Sequence, residues 1–134
     1  MRTTRIAAAA LACTVGLGSG LAGCAGEPAV CADVDALQTS VEDLRAAEPG
    51  EGGLEVVTEE LQEIEDELQQ LKTDAASEYS TQIKAVEDAL AALRTSAASA
   101  TSDPGATTLT QVRDDLRSFG SAVTSMGNAV EDTC

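Results

Sequence analysis

The stretch from residue 71 to residue 83, Leu71-Lys72-Thr73-Asp74-Ala75-Ala76-Ser77-Glu78-Tyr79-Ser80-Thr81-Gln82-Ile83, decides how many helices the chain forms. Upstream of it, Leu54, Val57, Leu61, Ile64, Leu68 and Leu71 recur in steps of 3, 4, 3, 4 and 3; downstream, Ile83, Val86, Leu90, Leu93 and Ala97 resume the same alternation. Each run marks one face of a helix. Between them, Leu71, Ala75, Tyr79 and Ile83 advance by 4 each time, so the apolar seam drifts around the axis, and no Gly or Pro marks a break. Either one helix of about 47 residues runs from Gly53 to Ser99, or the chain turns near Glu78-Tyr79-Ser80 and Ser80 caps the next helix. Helices much longer than about 25 residues are uncommon in small domains, which favours the turn.

Working outward, Val34, Leu37, Val41 and Leu44 form an earlier stripe, with Asp33 as its expected N-cap and Asp35 placed to favour the positive end of the helix dipole. That helix is expected to stop near Glu48, before the loop composition Pro49-Gly50-Glu51-Gly52-Gly53. On the other side, Asp103-Pro104-Gly105 reads as a turn, and Thr108-Leu109-Thr110-Gln111 fits a capping box with Thr108 as the cap. The last stripe, Leu109, Val112, Leu116, Phe119, Val123, Met126 and Val130, alternates steps of 3 and 4 without a lapse. Such alternation in every segment predicts helices packed nearly antiparallel with knobs-into-holes contacts. No strand pattern competes. The expected fold is therefore all-α, an antiparallel up-down-up-down four-helix bundle, with three helices around one long central helix as the alternative.

Composition excludes several chemistries. The chain has no His and no Trp, one Tyr and one Phe. Without His it has no Ser-His-Asp or Cys-His nucleophile system and no Glu-x-x-His di-iron site, so an enzyme would have to run on carboxylates alone. The expectation is a non-enzymatic protein with no cofactor. With 8 basic against 23 acidic side chains the net charge is −15. Nucleic acid is not an expected partner, because its binding rests on Lys and Arg neutralising phosphates.

Arg2 and Arg5 precede a charge-free run from Ile6 to Leu21 that is rich in Ala and Gly and ends in small residues. This is the pattern of a secretory signal, and the run is too short and too glycine-broken for a membrane-spanning helix. Leu21-Ala22-Gly23-Cys24 resembles a bacterial lipobox. The resemblance implies cleavage before Cys24 and a diacylglyceryl group on its thiol, and two acyl chains anchor a protein where one binds only marginally. Loss of residues 1–23 removes Arg2 and Arg5 and no acid, leaving six basic side chains against 23 acidic ones and a net charge of −17. The expected organisation is a lipoprotein signal peptide over 1–23, an acylated tether over 24–30 and a helical bundle over 31–134. Its place would be the extracytoplasmic face of the cell membrane, with the bilayer as one partner through Cys24 and an envelope protein as a possible second.

With Cys13 cleaved and Cys24 acylated, Cys31 and Cys134 remain, an even pair in an exported chain and so expected to oxidise. A disulfide needs Cα atoms within about 7 Å. Four antiparallel helices bring the end of the last back to the start of the first, whereas three equal helices leave Cys31 and Cys134 at opposite ends. A continuous central helix with the first and last laid end to end along it also lets them meet.

Other residues invite functional readings. Glu59, Glu60, Glu63, Glu65, Asp66 and Glu67 carry enough oxygen for Ca²⁺, but they surround a helix and lack a calcium-loop pattern, so a solvated acidic face is expected. Gly120 and Gly127 share a face and are expected to mark tight helix contact rather than a groove. Tyr79 is expected to be partly buried with its hydroxyl near solvent. Ala89, Ala91, Ala92, Ala97 and Ala98 point to close helix approach and not to a ligand cavity. A carrier or sensor of a small apolar ligand or a cation is nevertheless the alternative to an interaction module.

Taken with Cys31-Ala32-Asp33-Val34-Asp35-Ala36-Leu37, Val86-Glu87-Asp88-Ala89-Leu90 and Asp132-Thr133-Cys134, the lipobox makes the chain similar to small lipoproteins and secreted helical proteins of actinobacteria. That resemblance implies an address and a fold class and no activity.

Overall fold

Between Leu71 and Ile83 the helix breaks. The structure, a computed structural model, describes residues 28–47, 53–75 and 77–134. Helix α1 spans Ala29–Ala46, α2 Leu54–Asp74, α3 Ser80–Ser102 and α4 Ala106–Val130, and a single 3₁₀ turn at Ser77–Tyr79 leads into α3. The α2 helix ends where Ala75 turns extended, with ψ 138°. The reason lies in the seam. Twelve residues at 3.6 per turn would leave Ile83 rotated about 120° from Leu71 on a continuous helix, away from the core that Leu71 occupies. Breaking the helix re-aims it: Leu71 is fully buried and Ile83 is 8% exposed. Ser80 is the first residue of α3 and not its cap; Tyr79 holds the cap position, without a side-chain cap bond.

Two other helix starts differ from expectation. Helix α1 begins at Ala29 behind Pro28, a residue whose missing N–H and fixed φ suit a helix entrance. Asp33 therefore lies inside the helix, and Ala29 and Val30, expected in the tether, belong to α1, with Val30 in the core. Helix α4 is capped at Gly105; Thr108 is its N3 residue, and its hydroxyl accepts the Gly105 amide at 3.0 Å. The capping role of Thr108 is reciprocal to the one expected. The terminal charges are favourable, with Glu55 in the first turn of α2, Lys72 in its last and Arg45 in the last turn of α1.

The helices pack in a ring, α1 on α2, α2 on α3, α3 on α4 and α4 on α1, and among the described residues no two Cα atoms come within 8 Å across either diagonal. Three of the four seams show antiparallel heptad register. Asp33 faces Asp74 and, seven positions on, Ser40 bonds Glu67, seven positions back. Lys72 meets Glu87 and, seven back, Glu65 meets Arg94, seven on. Gly120 lies against Val41 and Gly127 against Val34. The fold is an all-α four-helix bundle. Its core is one cluster that takes every stripe residue named above except Leu109, which is half-buried against it. Phe119, Leu37, Ile64, Leu71 and Met126 are fully enclosed.

Candidate functional site

The ring brings the start of α1, the α2–α3 junction and the end of α4 to one end of the bundle. There Cys31 and Cys134 are joined at disulfide distance, with Cα atoms 5.8 Å apart across a separation of 103 residues. Cys31 is buried in the first turns of α1, whereas Cys134 is exposed beyond α4, positioned by its amide and that of Thr133 donating to the Val130 carbonyl. Tyr79 is a second clasp. Its ring is 7% exposed, and its hydroxyl pairs with that of Thr133, tying the α2–α3 junction to the chain end. Beside the disulfide, Asp35 and Gln38 of α1, Thr124 and Asn128 of α4 and Glu131 just beyond it border a cleft of about 290 Å³. Cys24, the 1–23 segment and the first tether residues lie outside the described residues.

The seams differ in electrostatics. On α2–α3, Lys72 bonds Glu87 and Arg94 bonds Glu65, all partly exposed, so each pair adds little stability. The α1–α2 seam instead sets acid against acid. Burial and then the Asp74 charge push the Asp33 carboxyl above the usual carboxylate range, and burial, Glu63, Asp43 and Glu59 do the same to Glu60. Burial also raises Glu67, opposed by the Ser40 hydroxyl, which reaches both carboxylate oxygens at 2.9 and 3.1 Å. The acidic run of α2 is thus distributed among Ser40, Arg94 and solvent. Among the described residues no three Asp, Glu or Cys side chains form a metal-binding group.

Gly120 and Gly127 admit α1 closely. A Cβ at 120 would press on the Arg45 guanidinium and lie 3.2 Å from Val41 Cγ1; one at 127 would lie 2.9 Å from Gln38 Nε2. The alanine-rich α3 approaches α4 closely, as expected, and α3–α4 is the most closely packed seam of the ring among the described residues. On α3–α4 the small side chains Ala91, Ala92, Thr95, Ser96 and Ser99 leave an open cleft of about 640 Å³ facing Thr107, Thr108, Gln111 and Asp115. The short, mostly exposed side chains let the axes approach and leave the outer margin of the seam open. Reading the apolar stripes missed the Ser40–Glu67 bond and the Asp33–Asp74 juxtaposition. Their signal is polar residues flanking the stripes at heptad spacing, as Asp33 and Ser40 do on α1.

Among the described residues no helix is long and apolar enough to cross a membrane. Comparison with protein-family models, with curated proteins and with solved structures finds no match.

Proposed function

We propose that the chain is a lipid-anchored extracytoplasmic protein, held through acylated Cys24 at the outer face of the cell membrane, that serves without catalysis as a protein-interaction or structural module of the envelope. The observation that carries this reading is the end-to-end polarity of the bundle. Cys31, seven residues beyond the lipobox cysteine, lies at the same end as the disulfide and the Tyr79 clasp. An anchor at Cys24 therefore meets the clasped end, and the opposite end, about 30 Å away along α2 at 1.5 Å per residue, is left to meet partners. A cleft between Leu54, Glu55 and Thr58 of α2 and Ala100, Thr101 and Pro104 opens there. A disulfide that closes the bundle also suits an oxidising compartment.

Fractionation of cells expressing the wild-type chain and Cys24→Ala tests the anchor. The wild-type protein should partition with membranes and carry an acylated N-terminal cysteine by mass spectrometry, while the variant leaves the membrane or stays uncleaved; equal membrane extraction of both would refute the anchor. Cross-linking in intact cells then tests the interaction, and the absence of any partner and of self-association would refute that part.

One observation favours a second reading, a carrier or sensor of a small apolar ligand. The α3–α4 cleft falls within the roughly 300–1,000 Å³ range of ligand pockets, and among the described residues Asp115 is its one charged lining residue. Native mass spectrometry of protein isolated from membranes would show a bound small molecule under this reading and a bare mass otherwise.

A further inference from the structure

The α3–α4 cleft is lined by Ala91 and Ala92 and otherwise by hydroxyl and amide groups, with Asp115 as the one charged lining residue among the described residues. Where its hydrogen-bond donors point decides what the cleft can hold. The Thr95 hydroxyl donates to the Ala91 carbonyl at 2.9 Å, that of Ser99 to the Thr95 carbonyl at 2.9 Å, and that of Ser96, only 5% exposed, to the Leu93 carbonyl at 3.0 Å. Thr108 turns its proton to the Asp103 and Gly105 carbonyls, and Gln111 Nε2 donates to Asp115 Oδ1 at 3.0 Å. A hydroxyl has one proton and two lone pairs, and a carboxylate has lone pairs alone. With these protons turned into the protein, the lining presents mainly acceptors to a ligand, and the Thr107 hydroxyl and the second N–H of Gln111 are the donors left.

The charge favours the same kind of ligand. Asp115 is half-buried and joins no ion pair among the described residues, while its neighbour Asp114 holds Arg117 at 2.6 Å. The last turn of α3 and the first turn of α4 carry opposite dipole signs and offset each other, so the carboxylate sets the local field. The net charge of −15 adds to it. An anion is disfavoured on both counts. A neutral apolar molecule would cover the carboxylate and the hydroxyl oxygens without giving them partners, a cost that its binding has to overcome.

We propose that the α3–α4 cleft binds an organic cation, a protonated amine on a short apolar chain, with the ammonium at Asp115 and the chain against Ala91 and Ala92. An ammonium has three donors and no acceptor, the complement of this lining: one N–H meets the Asp115 carboxylate and the others meet hydroxyl oxygens such as that of Ser96. Shelter between two helices strengthens such a charge-assisted bond. A volume of about 640 Å³ is far more than an ammonium group fills, and the apolar chain takes the rest. This ligand class presupposes the carrier reading of the cleft and adds to it a charge and a hydrogen-bonding pattern.

Amide NMR titrations of the full, disulfide-bonded chain with octylammonium chloride, 1-octanol and sodium octyl sulfate, each below its micellar concentration, test this. Octylammonium should move the resonances of the lining residues between 91 and 99 and between 107 and 115 saturably. Octanol should bind there at least about tenfold more weakly, the size of one charge-assisted hydrogen bond, and octyl sulfate should leave them unmoved. Asp115→Asn, which keeps the shape and removes the charge, should bring octylammonium down to the affinity of octanol. Ala92→Leu, at an exposed position of α3, should weaken both by filling the cleft. Equal binding of octylammonium and octanol to the wild-type protein would overturn the cation assignment and leave the carrier reading standing; no shift in the cleft from any probe would overturn both. Octylammonium shifts spread over the acidic faces of α1 and α2 and indifferent to Asp115→Asn would reveal a diffuse counter-ion effect, which also overturns the proposal.

Discussion

Reduction of the Cys31–Cys134 bond is the perturbation whose effect the structure bounds most closely. The bond joins residues 103 apart, and in the chain-entropy description a loop of about 100 residues gives about 4.7 kcal/mol of stabilisation, acting mainly by restricting the unfolded chain. Few native contacts have to be lost on reduction. Cys31 stays enclosed by the core, Thr133 keeps its bond to Val130, and Tyr79 keeps its bond to Thr133. The loss should therefore come almost wholly from the unfolded state. At about 4 °C per kcal/mol for a domain of about 100 residues, reduction should lower the melting temperature by roughly 15–20 °C. The folded state's far-UV dichroism should stay nearly the same. Thermal melts with and without a phosphine reductant, with thiol counting by mass spectrometry in each sample, make the comparison. An unchanged melt after confirmed reduction would refute the entropic reasoning, and loss of helicity at low temperature would show that the bond holds native structure and does not merely constrain the unfolded chain.

Two further outcomes concern single side chains. Gly127→Ala should raise stability by about 0.5–1 kcal/mol, the helix-propensity difference, because the new methyl displaces only the mobile amide of Gln38 while Val34 Cγ1 lies at an ordinary 3.7 Å; a lowered melting temperature in calorimetry would mean that the α1–α4 seam is too rigid to give. Glu67 and Asp33 are held above their ordinary values in the folded state, so the folded chain binds protons more tightly than the unfolded one. Their contribution is fully present below the unfolded carboxylate range of about 4 and is lost as pH rises through the raised values. Other things equal, the melting temperature should fall across that window. Ser40→Ala, which removes the donor that favours charged Glu67, should steepen the fall and cost about 1–2 kcal/mol at neutral pH. Denaturant melts at pH 4.5 and pH 7.5 that show an equal cost of the substitution at both would sever Ser40 from the titration of Glu67.

Much of the fold is legible in the spacing of apolar residues because the core selects for it directly. Leu37, Ile64, Val86, Phe119 and Met126 are fully enclosed as their stripes imply, since one face of each helix meets the same interior. The break after Asp74 is legible only as a drift in the seam. It needs no Gly or Pro, because a helix that would turn its apolar face to solvent is ended by the packing of the next segment, and Tyr79 and Ile83 supply that packing. The helix starts are less legible. Pro28 opens α1 several residues before its regular stripe, and Val30 and Cys31 join the core ahead of that stripe. Thr108 carries a capping pattern whose roles are reversed once Gly105 takes the extended cap position. The acid-against-acid seam was hidden because an apolar stripe says nothing of the polar residues beside it, and whether Asp33 meets a cation or Asp74 depends on the register between helices. The α3–α4 cleft was hidden because the short, mostly exposed side chains that leave it open lie beside the stripe, and apolar spacing says nothing of them.

The four-helix ring requires α2 and α3 to fold back on each other as a hairpin. Thr58 and Thr101 face the same clefts between α2 and α3, whereas on a continuous helix their 43-residue separation would span about 65 Å at 1.5 Å per residue. Spin labels attached at positions 58 and 101 through non-cysteine chemistry, leaving Cys31 and Cys134 bonded, report that distance by pulsed electron resonance. The hairpin predicts one narrow distribution below about 25 Å, allowing for two labels on helices whose axes lie about 10 Å apart; a population near 65 Å would contradict it.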